Sequence, residues 1–106
     1  MVTAQQIRGG KALAEAAGRA MYQRIGERDA CGFGWVEVYV DRTNSKQAKE
    51  LIAAGFKKDY KPKCLSMWDP AGVPTQSISV KEAGADAYAT YLQTLGLQAY
   101  GCSRLD

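Results

Sequence analysis

Residues 31–40 read Cys31-Gly32-Phe33-Gly34-Trp35-Val36-Glu37-Val38-Tyr39-Val40. From Trp35 onward the run is dense in β-branched and aromatic residues, which suit a pleated, half-buried surface. Side chains on a strand alternate between its faces. Val36, Val38 and Val40 therefore share one side, and Trp35, Glu37 and Tyr39 share the other. The valine side belongs under helices. The second side is amphipathic, with a carboxylate set between two aromatic rings.

Downstream, Asp41-Arg42-Thr43-Asn44 breaks the strand. Asn44 or Ser45 can cap a helix by accepting from backbone N–H groups of its first turn. Ala48, Leu51 and Ile52 follow at helical spacing. Gly55 stands where a left-handed C-terminal residue belongs, with Phe56 able to fold back behind it. The spacing predicts a short helix from about Ser45 to Ala54. Lys57–Lys63 is a polar, basic connection. A second strand is predicted over about Lys63–Trp68, with Leu65 and Met67 on one face and Cys64, Ser66 and Trp68 on the other. Asp69–Pro74 is rich in turn residues. Thr75–Val80 reads as a third strand, hairpin-paired to the second, with Ile78 and Val80 on one face and Ser77 and Ser79 on the other. Lys81–Leu95 reads as a helix with Gly84, Tyr88, Tyr91, Leu92 and Leu95 along its buried stripe, and Gly96 ends it. Leu97–Leu105 is the final strand.

Upstream, residues 4–27 read as a helix, regular from about Gly10 to Gly26 because Gly9-Gly10 weakens its start. Leu13, Ala17, Met21 and Ile25 recur every four residues as an apolar stripe. Ala14, Gly18 and Met21 lie beside it, and this small, alanine-rich face is one that another element can approach closely. The predicted order is α-β-α-β-β-α-β. It corresponds to an α+β fold: an N-terminal helix (1–30), then a ferredoxin-like βαββαβ unit (31–106) with an antiparallel four-stranded sheet. Both later helices would cover one face of that sheet.

The chain has 106 residues, 46% hydrophobic and 24% charged, which suits one globular domain and argues against disorder. The net charge of +3 is too small to imply nucleic acid by itself. Met1–Gln6 is polar and resembles no signal peptide, and no apolar run reaches membrane-spanning length. A cytoplasmic protein without membrane contact is expected. Cys31, Cys64 and Cys102 are widely spaced and odd in number, which speaks against a disulfide framework. There is no histidine. The usual zinc partner and the usual general base near neutral pH are thus both missing. No phosphate loop, dinucleotide fingerprint or metal motif is present, so no cofactor is expected.

A sheet with helices on one face leaves its other face open. Parity places Trp35, Glu37, Tyr39, Trp68, Ser77 and Ser79 there. The last strand adds either Tyr100, Cys102 and Arg104 or Ala99, Gly101 and Ser103. Two tryptophans and a tyrosine make a large apolar patch for a monomer. The N-terminal helix, a second copy of the chain or an outside partner is expected to cover it. Trp35, Glu37, Tyr39 and Trp68 are accordingly the candidate partner-binding residues. Glu37 is either an acid with a raised pKa or one half of an ion pair with Arg104 or Lys63. Lys57, Lys58, Lys61 and Lys63 give a second reading, in which lysines contact phosphates while sheet aromatics stack on bases. Against it, Ser77–Val80 lacks the aromatic residues such a sheet would need, and a lysine edge also discourages strand addition. Cys102, Arg104 and the terminal carboxylate of Asp106 lie close in sequence. There a cation could activate the thiol, but a buried structural cysteine is the simpler reading. An enzyme built on Glu37, Cys102 and Arg104 is the third possibility.

Cys31–Val38, Ser45–Phe56 and Tyr100–Asp106 together resemble a group of small uncharacterised proteins of tailed bacteriophages. In that group a CGFAWV-like strand precedes an SKFA-like helix, and an NQS-like segment, a KEA-like helix start and a terminal SRxD follow. Thr75-Gln76-Ser77 and Lys81-Glu82-Ala83 match the later elements. The resemblance covers about residues 31–106. It is weakest in the N-terminal helix, and residues 57–63 lack the glycine pair of the group. It implies a phage origin and expression inside a bacterium, and carries over no activity. The combined expectation is a non-enzymatic, phage-encoded binding protein that recognises another protein or itself as a homodimer. Nucleic-acid binding is the alternative.

Overall fold

A computed structural model describes residues 1–106. The elements are α1 (Ala4–Arg8), α2 (Gly10–Ile25), β1 (Gly32–Tyr39), α3 (Lys46–Ala53), β2 (Lys57–Lys58), β3 (Cys64–Trp68), α4 (Ile78–Thr94) and β4 (Gln98–Leu105). The sheet order is β2-β3-β1-β4, with every neighbouring pair antiparallel. From β1 onward the chain is a βαββαβ unit with the ferredoxin-like strand order, and the α+β class is as the sequence predicts.

One strand is not where the alternation places it. Residues 75–80 do not form a strand: Ser77 is the N-cap of α4, its hydroxyl accepting from the Val80 N–H. Asp29 reinforces this start, accepting from the Ser77 hydroxyl at 2.6 Å and the Ser79 N–H at 2.8 Å. Two apolar residues in four are too short a pattern to separate a strand from a helix start. Val80, Gly84, Tyr88 and Leu92, buried at intervals of four, continue the helical period. The missing strand is β2, inside the segment read as a basic connection. Lys57 pairs with Ser66 and Lys58 with Leu65, and the hairpin turns through residues 59–63. Two exposed lysines show no period of any kind, so only pairing reveals them as a strand. They form the sheet edge, where lysine discourages further strand addition.

The valine parity holds. Val36 and Val38 are fully buried and pack with Leu51, Phe56, Leu65, Tyr88, Leu92 and Ala99. Each large apolar side chain buried this way contributes about 1.5–3 kcal/mol. The α3 ends are as read: the Ser45 hydroxyl accepts from the Ala48 N–H, and Gly55 has φ +112. Phe56 returns its N–H to the Leu51 carbonyl and is 1% exposed. Close approach of α4 to β1 requires Gly34, where a Cβ would sit 2.7 Å from the Lys81 carbonyl carbon and oxygen.

The N-terminal helix departs from the reading in two ways. It is split at Gly9, and α1 carries its own capping box between Thr3 and Gln6. The buried face of α2 is Gly10, Ala14 and Gly18, whereas Leu13 is 48% exposed. Small residues are buried because α2 lies tightly on α4 and on the 69–74 loop. A Cβ at Gly10 would stand 2.8 Å from the Tyr88 ring, and one at Gly18 2.7 Å from the Ala71 Cβ. The tyrosines of α4 also tether α1: the Tyr88 hydroxyl donates to the Ile7 carbonyl at 2.8 Å and Tyr91 to the Gln6 carbonyl at 2.6 Å. The helix therefore packs on the helical layer and does not cover the open sheet face.

Candidate functional site on the open sheet face

Directly opposed residues of antiparallel strands project from the same face. The register sets Trp35 opposite Trp68 on β3 and Cys102 on β4, and Glu37 opposite Ser66 and Tyr100. Phe33 faces Arg104, Tyr39 faces Cys64 and Gln98, and Lys57 on the edge strand faces Ser66. The ambiguity of β4 is thereby resolved: Tyr100, Cys102 and Arg104 share the open face with Trp35, Glu37 and Tyr39. Ser77 and Ser79, expected there, are absent from it because they belong to the start of α4.

The rings form two groups. Trp35 and Trp68 stack with centroids 4.6 Å apart and planes 18° from parallel, and Phe33 meets Trp68 edge-on at 6.0 Å. Arg104 lies 5.3 Å and Lys81 5.6 Å from the centroid of Phe33, within cation–π range. Further along, Tyr39 meets Tyr100 edge-on at 6.0 Å. Trp68 and Tyr100 remain about half exposed, at 52% and 47%.

Glu37 sits between the two groups and is 4% exposed. Its Oε2 accepts from Trp35 Nε1 at 2.9 Å and from Lys61 Nζ at 2.8 Å, and its Oε1 accepts from the Tyr39 hydroxyl at 2.9 Å. The ion-pair partner is therefore Lys61, brought over the face by the β2–β3 hairpin, and neither Arg104 nor Lys63. Burial pushes the Glu37 carboxyl up, but the bonds from Lys61, Trp35 and Tyr39 outweigh it and hold the group below its ordinary range. Of the two readings of Glu37, ion pairing is the one the structure carries, with Lys61 in place of the expected partners, and the raised pKa is not. The bond to Glu37 raises the Lys61 ammonium, and donating its hydroxyl to the Glu37 carboxylate lifts Tyr39 to about 12.

The two thiols of the open face, Cys64 and Cys102, are shifted away from thiolate. Burial, with the charges of Glu37 and Asp59, pushes Cys64 to about 11. Burial and the Glu37 charge likewise raise Cys102. Arg104 is engaged with Phe33 and forms no ion pair there. All three cysteines are free, and no cluster of three or more Cys, Asp or Glu side chains is placed to hold a metal. No helix is long and apolar enough to cross a membrane.

Between the edge strand and the tryptophan stack lies a hollow of about 670 Å³, lined among others by Trp35, Glu37, Lys57, Lys58, Trp68 and Arg104. Of the lysines read from the sequence, Lys57 and Lys58 line this hollow and Lys61 reaches Glu37. Lys63, at φ +57 in the hairpin turn, lies outside it. Phe33 and Arg104 are the members sequence reasoning missed or left open. Extending the β1 alternation back by two residues from Trp35 would have found Phe33. Arg104 needed the β1–β4 register. No protein-family model, curated protein or solved structure matches the chain.

Proposed function

We propose that this chain is a binding protein, not an enzyme, and that its contact surface is the open face of the sheet. The observation that carries the reading is the pair of ring groups, Trp35–Trp68–Phe33 and Tyr39–Tyr100, on a face that no other element of the chain packs upon. Half-exposed Trp68 and Tyr100 supply apolar area of the kind enriched where macromolecules meet. The reactive groups of the face are occupied in ways that suit recognition better than catalysis. Glu37 accepts three hydrogen bonds, and both thiols of the face are shifted away from thiolate. The likeness of residues 31–106 to small tailed-phage proteins supports placing this binding inside an infected bacterium.

The test labels the exposed Cys31 with a fluorophore and follows the chain by sedimentation velocity in bacterial lysate. Wild type should sediment faster than an 11.5 kDa monomer. A folded Trp35→Ser/Trp68→Ser variant should sediment as the monomer. Identical sedimentation of the two would refute the reading.

A further inference from the structure

A second groove runs on the helical side of the molecule, between α2 and the 69–74 loop, and its lining includes Arg8, Lys11 and Arg19. This groove and the hollow on the sheet face share Gly55, Met67 and Trp68. The two basic surfaces therefore meet at the most exposed ring of the tryptophan stack. We infer that this continuous track is a binding path for single-stranded nucleic acid, with Trp68 as its stacking platform. The inference rests on the open face being a contact surface, and it names the occupant.

Charge is the first argument. The hollow contributes Lys57, Lys58 and Arg104, and the groove contributes Arg8, Lys11 and Arg19. The acidic groups along the path are Glu37, Asp59, Glu15 and Asp69. Glu37 is already matched by Lys61, the one ion pair within 4 Å in the molecule. The Asp59 carboxylate accepts from the Tyr60 N–H and faces the Cys64 thiol. Six cations without an ion-pair partner thus border one path, and repeated phosphates are the ligand chemistry that matches repeated cations.

Aromatic geometry is the second argument. Rings beside a cationic groove bind successive bases by stacking, without demanding sequence. Trp68 offers about half its surface, while Trp35 behind it and Phe33 at its edge hold the indole in place. The objection raised by the sequence, a central strand without aromatics, does not apply to the observed sheet. Its two central strands are β1 and β3, and β3 ends in Trp68. A second copy of the chain fits less well. A two-fold interface sets the same patch against itself, so a face carrying Lys57, Lys58 and Arg104, with Glu37 already spent on Lys61, would bring like charge together.

The test is fluorescence anisotropy of labelled oligo-dT and oligo-U of about 12 nucleotides, titrated with the full chain between roughly 50 and 200 mM salt. Engagement of all six cations predicts a log–log salt slope of about −4, a loss of roughly 10²-fold across that range. Lys11→Gln/Arg19→Gln should flatten the slope by about 1.4. Lys46→Gln/Lys49→Gln, which removes equal charge from α3 away from the track, should leave the slope unchanged. Trp68→Ala should weaken binding by about 5- to 150-fold. The dT and U arms separate DNA from RNA preference. Absence of binding at low salt, or equal effects of the two charge pairs, would overturn the inference. If binding is absent while wild type still associates through Trp35 and Trp68 in nuclease-treated lysate, the nucleic-acid path fails and the contact surface stands. If neither is seen, both fail.

Discussion

Replacing Glu37 by Gln isolates the charge at the centre of the sheet face, because the amide can keep the shape of the network. With its oxygen at the Oε2 position, Gln still accepts from Trp35 and Lys61, and its NH2 faces the Tyr39 hydroxyl, which can rotate to accept. Hydrogen bonds to a charged group contribute about 1.5–3 kcal/mol and neutral ones about 0.5–1.5. Lys61 is 37% exposed, so its share is discounted for screening. The bonds from Trp35 and Tyr39 then lose about 1 kcal/mol each, for a total of about 2 kcal/mol. With a urea slope of about 1.5 kcal/mol/M, the unfolding midpoint should fall by roughly 1.3 M at neutral pH. The folded pKa of Glu37 lies below its unfolded value. Its contribution is therefore present above an unfolded pKa of about 4.3 and is lost as pH falls through the folded value. The difference between wild type and Glu37→Gln should shrink as pH falls through the folded value, where a protonated Glu37 resembles the amide. An unchanged midpoint at neutral pH, or a difference that persists in acid, would show that the carboxylate charge does not hold this face together.

Two further outcomes test the frame around the face. Gly34→Ala should cost about 1–3 kcal/mol in urea unfolding, because the new Cβ meets the Lys81 backbone at 2.7 Å and α4 must lift from the sheet. Wild-type stability would contradict that packing. Asp29, held at about 2 by the Ser77 hydroxyl and the Ser79 N–H, should contribute stability above pH 3.8 that is lost as pH falls through about 2. Asp29→Asn should therefore flatten the acid limb of the thermal midpoint–pH curve. An unchanged acid limb would remove Asp29 from the α4 cap.

Much of the fold was legible because it rests on local chemistry. The alternation of Trp35–Tyr39 named both faces of β1 correctly, since a one-residue slip would have exposed Val36 and Val38. Ser45, Gly55 and Gly96 marked helix ends through caps and left-handed backbone, which depend only on near neighbours. Legibility failed where the deciding partner was distant. Ile78–Val80 alternates like a strand over too few residues, and Asp29, almost fifty positions upstream, makes it a helix start. Lys57–Lys58 carries no pattern and is a strand only because Ser66 and Leu65 bond it. Leu13 looked like the core of its helix, yet the glycine–alanine face is buried because the Tyr88 ring of α4 and Ala71 of the 69–74 loop lie so close that larger side chains are excluded there.

The candidate site divides along the same line. By itself the sequence determined that Trp35, Glu37 and Tyr39 lie on the side of β1 away from its valines, and that Trp68 lies opposite Leu65 and Met67 on its own strand, because pleating forces that alternation within each strand whatever its neighbours. Only the tertiary structure decided that Lys61 neutralises Glu37, that Arg104 covers Phe33, that α2 leaves the face bare, and that two basic grooves join at Trp68. Those facts depend on strand register and helix docking. Both are settled by burial summed over residues far apart in the chain, which no local pattern encodes.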